Sequence, residues 1–191
     1  PNRMLNFLNN QVYNNAVYIH PSEWVVNMWR SMCIEPIIPL KVQSFPVDVD
    51  RFNCLESEDG LVKTDVFVYF KRRKPSELQV LENTLIERKI NYKVFDYVKR
   101  YEEEDYLEYL KKAKYGIILD AHESQGFAIE EAMSCNVPLL VWNATSMAQE
   151  DGINYPPYPA TSIPYWDDMC GEVFTDWINE FDNVFEKFLR G

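Results

Sequence analysis

Glycine is scarce in this chain, with six in 191 residues, and no G-x-G-x-x-G run occurs. That absence argues against a dinucleotide dehydrogenase, whose first turn needs those glycines to bring backbone against a pyrophosphate. Cysteine is equally sparse: Cys33, Cys54, Cys135 and Cys170 are scattered without a C-x-x-C pair, and the only histidines are His20 and His122. The pattern gives neither a zinc site nor a disulfide framework, so reduced thiols and a cytoplasmic location are the expectation. No apolar run approaches the roughly 20 residues that span a bilayer, and the first residues lack a basic stretch followed by an apolar one, so no membrane insertion is expected. Positive charge is short as well: 19 Lys and Arg face 30 Asp and Glu, for a net charge of -11. Nucleic acid is therefore an unpromising partner, because phosphate backbones are held by Lys and Arg that release counterions. Any phosphate this chain binds has to be gripped locally.

What is present is a globular composition, 47% hydrophobic, 15% aromatic and 26% charged, at a length that suits one domain. Strand-length apolar runs alternate with longer amphipathic stretches, the signature of a parallel sheet with crossover helices. Residues 16–19 read as a first strand, followed by a helix that Ser22 caps and that runs to about Met32. Residues 36–42 read as a second strand, then a turn at 46–52 and an acidic loop through Gly60. Residues 65–70 are the clearest strand, and Pro75 opens a helix to about Arg88 with Leu78, Leu81, Leu85 and Ile86 on one side. Strands at 91–97, 115–119 and 137–142 alternate with helices at 102–112 and 126–134. The prediction is an α/β, doubly wound, Rossmann-like parallel sheet over 61–191, with 1–60 packed on it as a strand-helix-strand segment and linker. From 143 to 168 the chain reads as irregular, and an amphipathic helix over 175–189 closes it.

In open parallel sheets ligands sit at the carboxyl ends of the strands, so the loops after Phe70, Tyr97, Leu119 and Trp142 should share one edge. The first carries Lys71, Arg72, Arg73 and Lys74, the one dense basic cluster. Such a run is either a solvated charge patch or a grip for a diphosphate, and its place at a strand end favours the grip. The second carries Tyr97 and Val98, whose aromatic face and free backbone suit a planar base, or simply pack on neighbouring helices. The third is Glu123-Ser124-Gln125-Gly126-Phe127-Ala128-Ile129-Glu130-Glu131. Taken singly, Glu123 reads as a solvated turn acid and Glu131 as a helix-surface acid. Gly126 changes that reading, because a glycine opening a helix lets a ligand approach free N–H groups. Two carboxylates eight positions apart, one before the helix and one inside it, suit an elongated ligand with both phosphate and hydroxyl groups.

This segment, continued by Ala132-Met133-Ser134-Cys135-Asn136-Val137-Pro138-Leu139, resembles the nucleotide-sugar-binding C-terminal domain of GT-B fold retaining glycosyltransferases with an E-x7-E motif, of the bacterial or large-virus type. The turn at 46–52 is similar to the entry into that domain. The resemblance implies that Glu131 binds ribose hydroxyls and that Glu123 faces the sugar ring. It also implies that Lys71, Arg72, Arg73 and the backbone of Ser124, Gln125, Gly126 and Phe127 hold a diphosphate, with Tyr97 and Val98 at the base. No metal or other cofactor is implied, since fixed cations and a helix N-terminus can stabilise the departing nucleoside diphosphate.

Two departures from the family stand out. The basic cluster is denser than usual, and Asn136 stands where glycine is common. The chain also covers one such domain plus about 60 residues, so the acceptor half of the fold is largely missing. The segments 18–24 and 155–166 are candidates for an acceptor wall. The expectation is a retaining, metal-independent hexosyltransferase. It would move a sugar from a nucleotide diphosphate sugar, UDP-linked and with UDP-rhamnose as one candidate, to a glycan acceptor. The alternatives are a nucleotide-sugar epimerase, or a non-catalytic donor-binding module that works with other domains of a larger polypeptide.

Overall fold

A computed structural model describes residues 16–32, 38–53 and 63–190. Among these, the main body is a five-stranded sheet in which every pairing is parallel. In chain order the elements are β1 (Tyr18–His20), α1 (Glu23–Ser31), β2 (Leu40–Val42), β3 (Asp65–Lys71), α2 (Pro75–Glu87) and β4 (Tyr92–Asp96). They continue with α3 (Glu103–Leu110), β5 (Ala113–Asp120), α4 (Phe127–Ser134), β6 (Leu139–Trp142), β7 (Gly171–Phe174) and α5 (Trp177–Arg190). The large sheet runs β4-β3-β5-β6-β7, while β1 and β2 pair separately, also in parallel. The expected acidic loop at 54–60, the first residues of the expected second strand, and Cys33 and Cys54 lie outside the described residues. Neither Cys135 nor Cys170 is in a disulfide.

The central strands are apolar on both faces because helices cover both. Val66, Val68, Phe70, Ile117, Leu119, Leu140 and Trp142 point to one side, where they bury Leu81 and Leu85 of α2 and Phe181 and Phe185 of α5. Phe67, Tyr69, Ile118, Leu139 and Val141 point to the other, against Tyr106, Leu107 and Leu110 of α3 and Ala128, Ile129 and Ala132 of α4. The helices start where local chemistry supplies stops. Pro75 opens α2, and Glu77 Oε2 accepts the Lys74 N–H at 3.1 Å. Glu180 Oε2 accepts the N–H groups of Thr175 (2.7 Å) and Asp176 (3.1 Å) just ahead of α5. Ser22 does precede α1, but its side chain makes no capping bond. The unit β1-α1-β2 is built on Val26, Ile38 and Leu40.

The sheet has one strand more than the sequence suggests. β7 is four residues long, starts at a glycine and follows a long irregular stretch, so neither length nor alternation announces it. It nevertheless pairs with β6 over its whole length, from Leu139 opposite Gly171 to Trp142 opposite Phe174. A different glycine sets the packing beneath the site. A Cβ built on Gly116 meets the Phe67 ring at 2.2 Å, and that ring is fully buried. Gly116→Ala is expected to destabilise the fold by about 1–3 kcal/mol through overpacking, despite alanine's better fit to regular backbone, as measured by the urea unfolding midpoint.

Candidate functional site

The chain leaves β3 for β4 on one side and returns past it to β5 on the other, so the loops after β3 and β5 diverge. A crevice opens there, at the carboxyl ends of two adjacent parallel strands. Lys71 and Asp120 are paired in register across this point. After β5 the chain turns through Ala121–Gln125, and Gly126, with φ of 86°, forms the entrance to α4. That left-handed backbone is inexpensive only for glycine, and it opens α4 beside the crevice.

A cavity of about 880 Å³ occupies this position. Lys71, Arg72, Tyr97, Val98, Glu123, Ser124, Gln125, Gly126, Phe127 and Glu131 all line it. So do Tyr69, Arg100, Tyr101, Glu103 and Ala128. Tyr69 escapes a sequence reading because in a strand buried on both faces alternation does not tell wall from core. Arg100 is held in the cavity wall by a backbone with φ of 63°.

Arg73 is the exception. It does not line the cavity and is 2% exposed. Its guanidinium donates to both carboxylate oxygens of Glu77, at 2.9 and 2.7 Å, and approaches the carbonyls of Asp120 and Trp142 at 3.4 Å. It also lies 5.0 Å from the centre of the Trp142 ring. The cation expected at the phosphate is thus turned inward, where it joins the ends of three strands. The four consecutive positive residues do not face one ligand together, and Lys71 and Arg72 are the two that reach the cavity.

Lys71 Nζ contacts Glu123 Oε1 in a largely buried ion pair and sits 4.5 Å from the centre of the Tyr97 ring. Burial works against its charge, but the carboxylates of Asp120 and Glu123 outweigh burial and raise its pKa above the usual lysine value. Asp120 is fully buried, and burial first and Glu123 second push its carboxyl well above the carboxylate range. Neither of its oxygens has a hydrogen-bond partner. The site floor is therefore one cation held between two acids, and the deeper acid has its pKa raised by burial and by its acidic neighbour.

At the other end, Glu131 is half-buried, and its carboxyl is pushed up to about 7. Burial is the main cause, the charges of Glu103 and Glu130 add to it, and Arg51 opposes them. Beside it the Tyr101 phenol is raised to about 12, chiefly by burial and then by Glu131, so it remains a hydroxyl donor. Between the two ends, Tyr97 and Val98 present 44% and 65% of their surfaces to solvent, as exposed apolar area on the cavity rim. Asp96 Oδ1 shapes that turn by accepting the N–H groups of Val98 and Lys99. Gln125 also ties the cavity wall to the β1-α1-β2 unit. Its amide exchanges hydrogen bonds with the Phe45 backbone at 3.0 and 3.1 Å and donates to Glu130.

Comparison with protein-family models, curated proteins and solved structures found no match. Among the described residues no helix is long and apolar enough to cross a membrane.

Two substitutions separate framework from site. Arg73→Ala is expected to cost about 3 kcal/mol, the low end for breaking a buried ion pair because Glu77 keeps access to water. The neighbouring Lys74→Ala is expected to stay within about 0.5 kcal/mol. Both are read from denaturant midpoints. Folded Glu131 holds its proton up to about 7, whereas the unfolded chain releases it in the ordinary range near 4.5. The cost of burying its charge is thus fully present above pH 7 and is relieved as pH falls through 7 toward 4.5. Glu131→Gln is expected to raise the thermal midpoint at pH 8 and to leave it nearly unchanged at pH 4.

Proposed function

We propose that the chain binds a nucleoside diphosphate sugar in this cavity and transfers the sugar to a glycan acceptor, as a GT-B type glycosyltransferase acting with retention and without a metal. The observation that carries this reading is the convergence of unlike groups on one cavity. Three cations, Lys71, Arg72 and Arg100, and a helix N-terminus stand beside an exposed aromatic rim, with carboxylates at both ends. An uncharged metabolite has no use for the cations, and a simple anion has no use for the carboxylates. A diphosphate that carries a ribose on one side and a sugar on the other uses both.

In this reading Lys71, Arg72 and the N–H groups at the start of α4 take the diphosphate. Tyr97 and Val98 pack on the base, Glu131 accepts hydrogen bonds from ribose hydroxyls, and Glu123 meets the sugar. Departure of the nucleoside diphosphate breaks the bond from the anomeric carbon to the phosphate oxygen and leaves the electron pair on that oxygen. Lys71 is the cation best placed to stabilise the new charge, because burial and ion pairing hold it in a fixed position before the reaction. The bound phosphate then competes with Glu123 for Lys71, which releases Glu123 toward the sugar ring.

Titration calorimetry with UDP, GDP and ADP tests the first step. At least one is expected to bind, UDP foremost, and absence of binding by all three removes the proposal. Glu131→Ala is expected to abolish that binding, and Lys71→Met to weaken UDP about tenfold or more while leaving uridine unaffected. Wild-type affinity is expected to decline as pH falls below 7, by up to about tenfold per unit, because the ribose has to displace a proton from Glu131. Turnover is followed separately by release of UDP from a panel of UDP-sugars.

A further inference from the structure

Just outside the donor cavity, groups from separate stretches of chain meet at His122. The Trp24 ring of α1 stands edge-on to its imidazole at 5.7 Å, and Tyr155, from the irregular crossover between β6 and β7, does the same at 6.0 Å. Both are half-buried, and the His122 side chain is 16% exposed. Behind the ring, Glu150 Oε2 lies 2.8 Å from Nε2, without a well-aligned hydrogen bond between them. The Glu150 side chain is almost completely buried and is also held by Arg72 Nη1 at 3.1 Å. Arg72 lines the donor cavity, so one side chain joins the two places. The peptide of Glu123 is pinned from the same two directions. Trp24 Nε1 donates to its carbonyl at 2.8 Å, and its N–H donates to Thr161 at 2.9 Å.

Resting on the donor reading above, we propose that Trp24, His122 and Tyr155 form an acceptor subsite for an uncharged pyranose, with His122 accepting a hydrogen bond from a ring hydroxyl next to the one that attacks. Aromatic side chains supply apolar faces for the C–H side of a sugar ring. The imidazole supplies a polar tip, Nδ1, since Nε2 is buried against Glu150. Burial lowers the pKa of His122, and although Glu150 and Glu123 oppose that effect and Lys71 adds to it, the net direction is downward. The ring is accordingly neutral at pH 7 and has a lone pair to offer. The nearby carboxylates of Glu123 and Glu150 are each paired with a cation, Lys71 and Arg72, so no free charge is left there to attract a charged acceptor. In the transfer, the acceptor oxygen bonds to the anomeric carbon as the bond to phosphate breaks, and the hydroxyl proton leaves on the departing diphosphate. His122 positions the ring through its neighbouring hydroxyl and needs no net protonation.

The chain has two histidines, so proton NMR of the imidazole ring protons resolves the question directly. Wild type saturated with UDP is titrated with a panel of methyl hexopyranosides, and the His122 signal is identified by its loss in His122→Asn. The result expected is a saturable shift of that signal with the His20 signal still, together with a pyranoside Kd about tenfold higher in His122→Asn and in Tyr155→Ala, the loss of one hydrogen bond or one ring contact. UDP affinity by calorimetry is expected to stay within about twofold in both variants. If UDP binds and no pyranoside moves the His122 signal, the subsite is wrong while the donor reading stands. If either variant loses UDP affinity as strongly as pyranoside affinity, the group is a support for the Glu123 loop and the subsite is again wrong. Failure of UDP to bind wild type marks the failure of the donor reading instead.

Discussion

The buried guanidinium of Arg73 is the constraint on which the site depends. It arises at the end of β3, reaches the last carbonyls of β5 and β6, and is neutralised by the first turn of α2. Parallel strands have no hydrogen bonds beyond their ends, and at a crossover point the loops run apart. A planar cation with several donors holds such ends together as a single charge on a flexible stem does not. Because Arg73 takes this inward position, the residues before it in the same turn are directed outward. Arg72, with φ of 53°, marks the reversal. A run of basic residues is thereby divided between framework and cavity.

The electrostatics of the cavity follow from a second economy, the use of one lysine between two acids. Lys71 is desolvated, yet it remains charged because Asp120 and Glu123 stand beside it. Burial and Glu123 raise the pKa of Asp120, and Lys71 opposes that rise. The arrangement holds a cation in low-dielectric surroundings.

The sheet was legible in the sequence wherever a strand had a loud apolar run, as at Val66 to Phe70 and Ile117 to Leu119, and each such strand differs from its expected limits by no more than about two residues, the usual uncertainty at ends. β7 was illegible because a strand at the edge of a parallel sheet draws its stability from pairing rather than from composition. The cavity lining was legible from topology, since residues following strand ends gather on one edge whatever their contacts. Arg73 was not, because consecutive residues of one charge look alike until the backbone turns. Trp24 and Tyr155 were legible only as parts of larger aromatic segments. Their meeting at His122 depends on packing between stretches of chain about 130 residues apart, which no local pattern records.

The Gln125 seam has a consequence for how this chain can vary. Its amide recognises Phe45 entirely through backbone atoms, an N–H and a C=O. The side chain at position 45 is half exposed and takes no part. The contact therefore places its demand on one partner only: Gln125 has to remain a carboxamide, whereas position 45 is free to drift among all residues that keep an N–H. Proline alone is barred from it, since its ring nitrogen has no hydrogen to give. Between the segment after β2 and the loop that bears Glu123, this contact is thus inherited through one side chain, and its other half goes unrecorded in the amino-acid sequence.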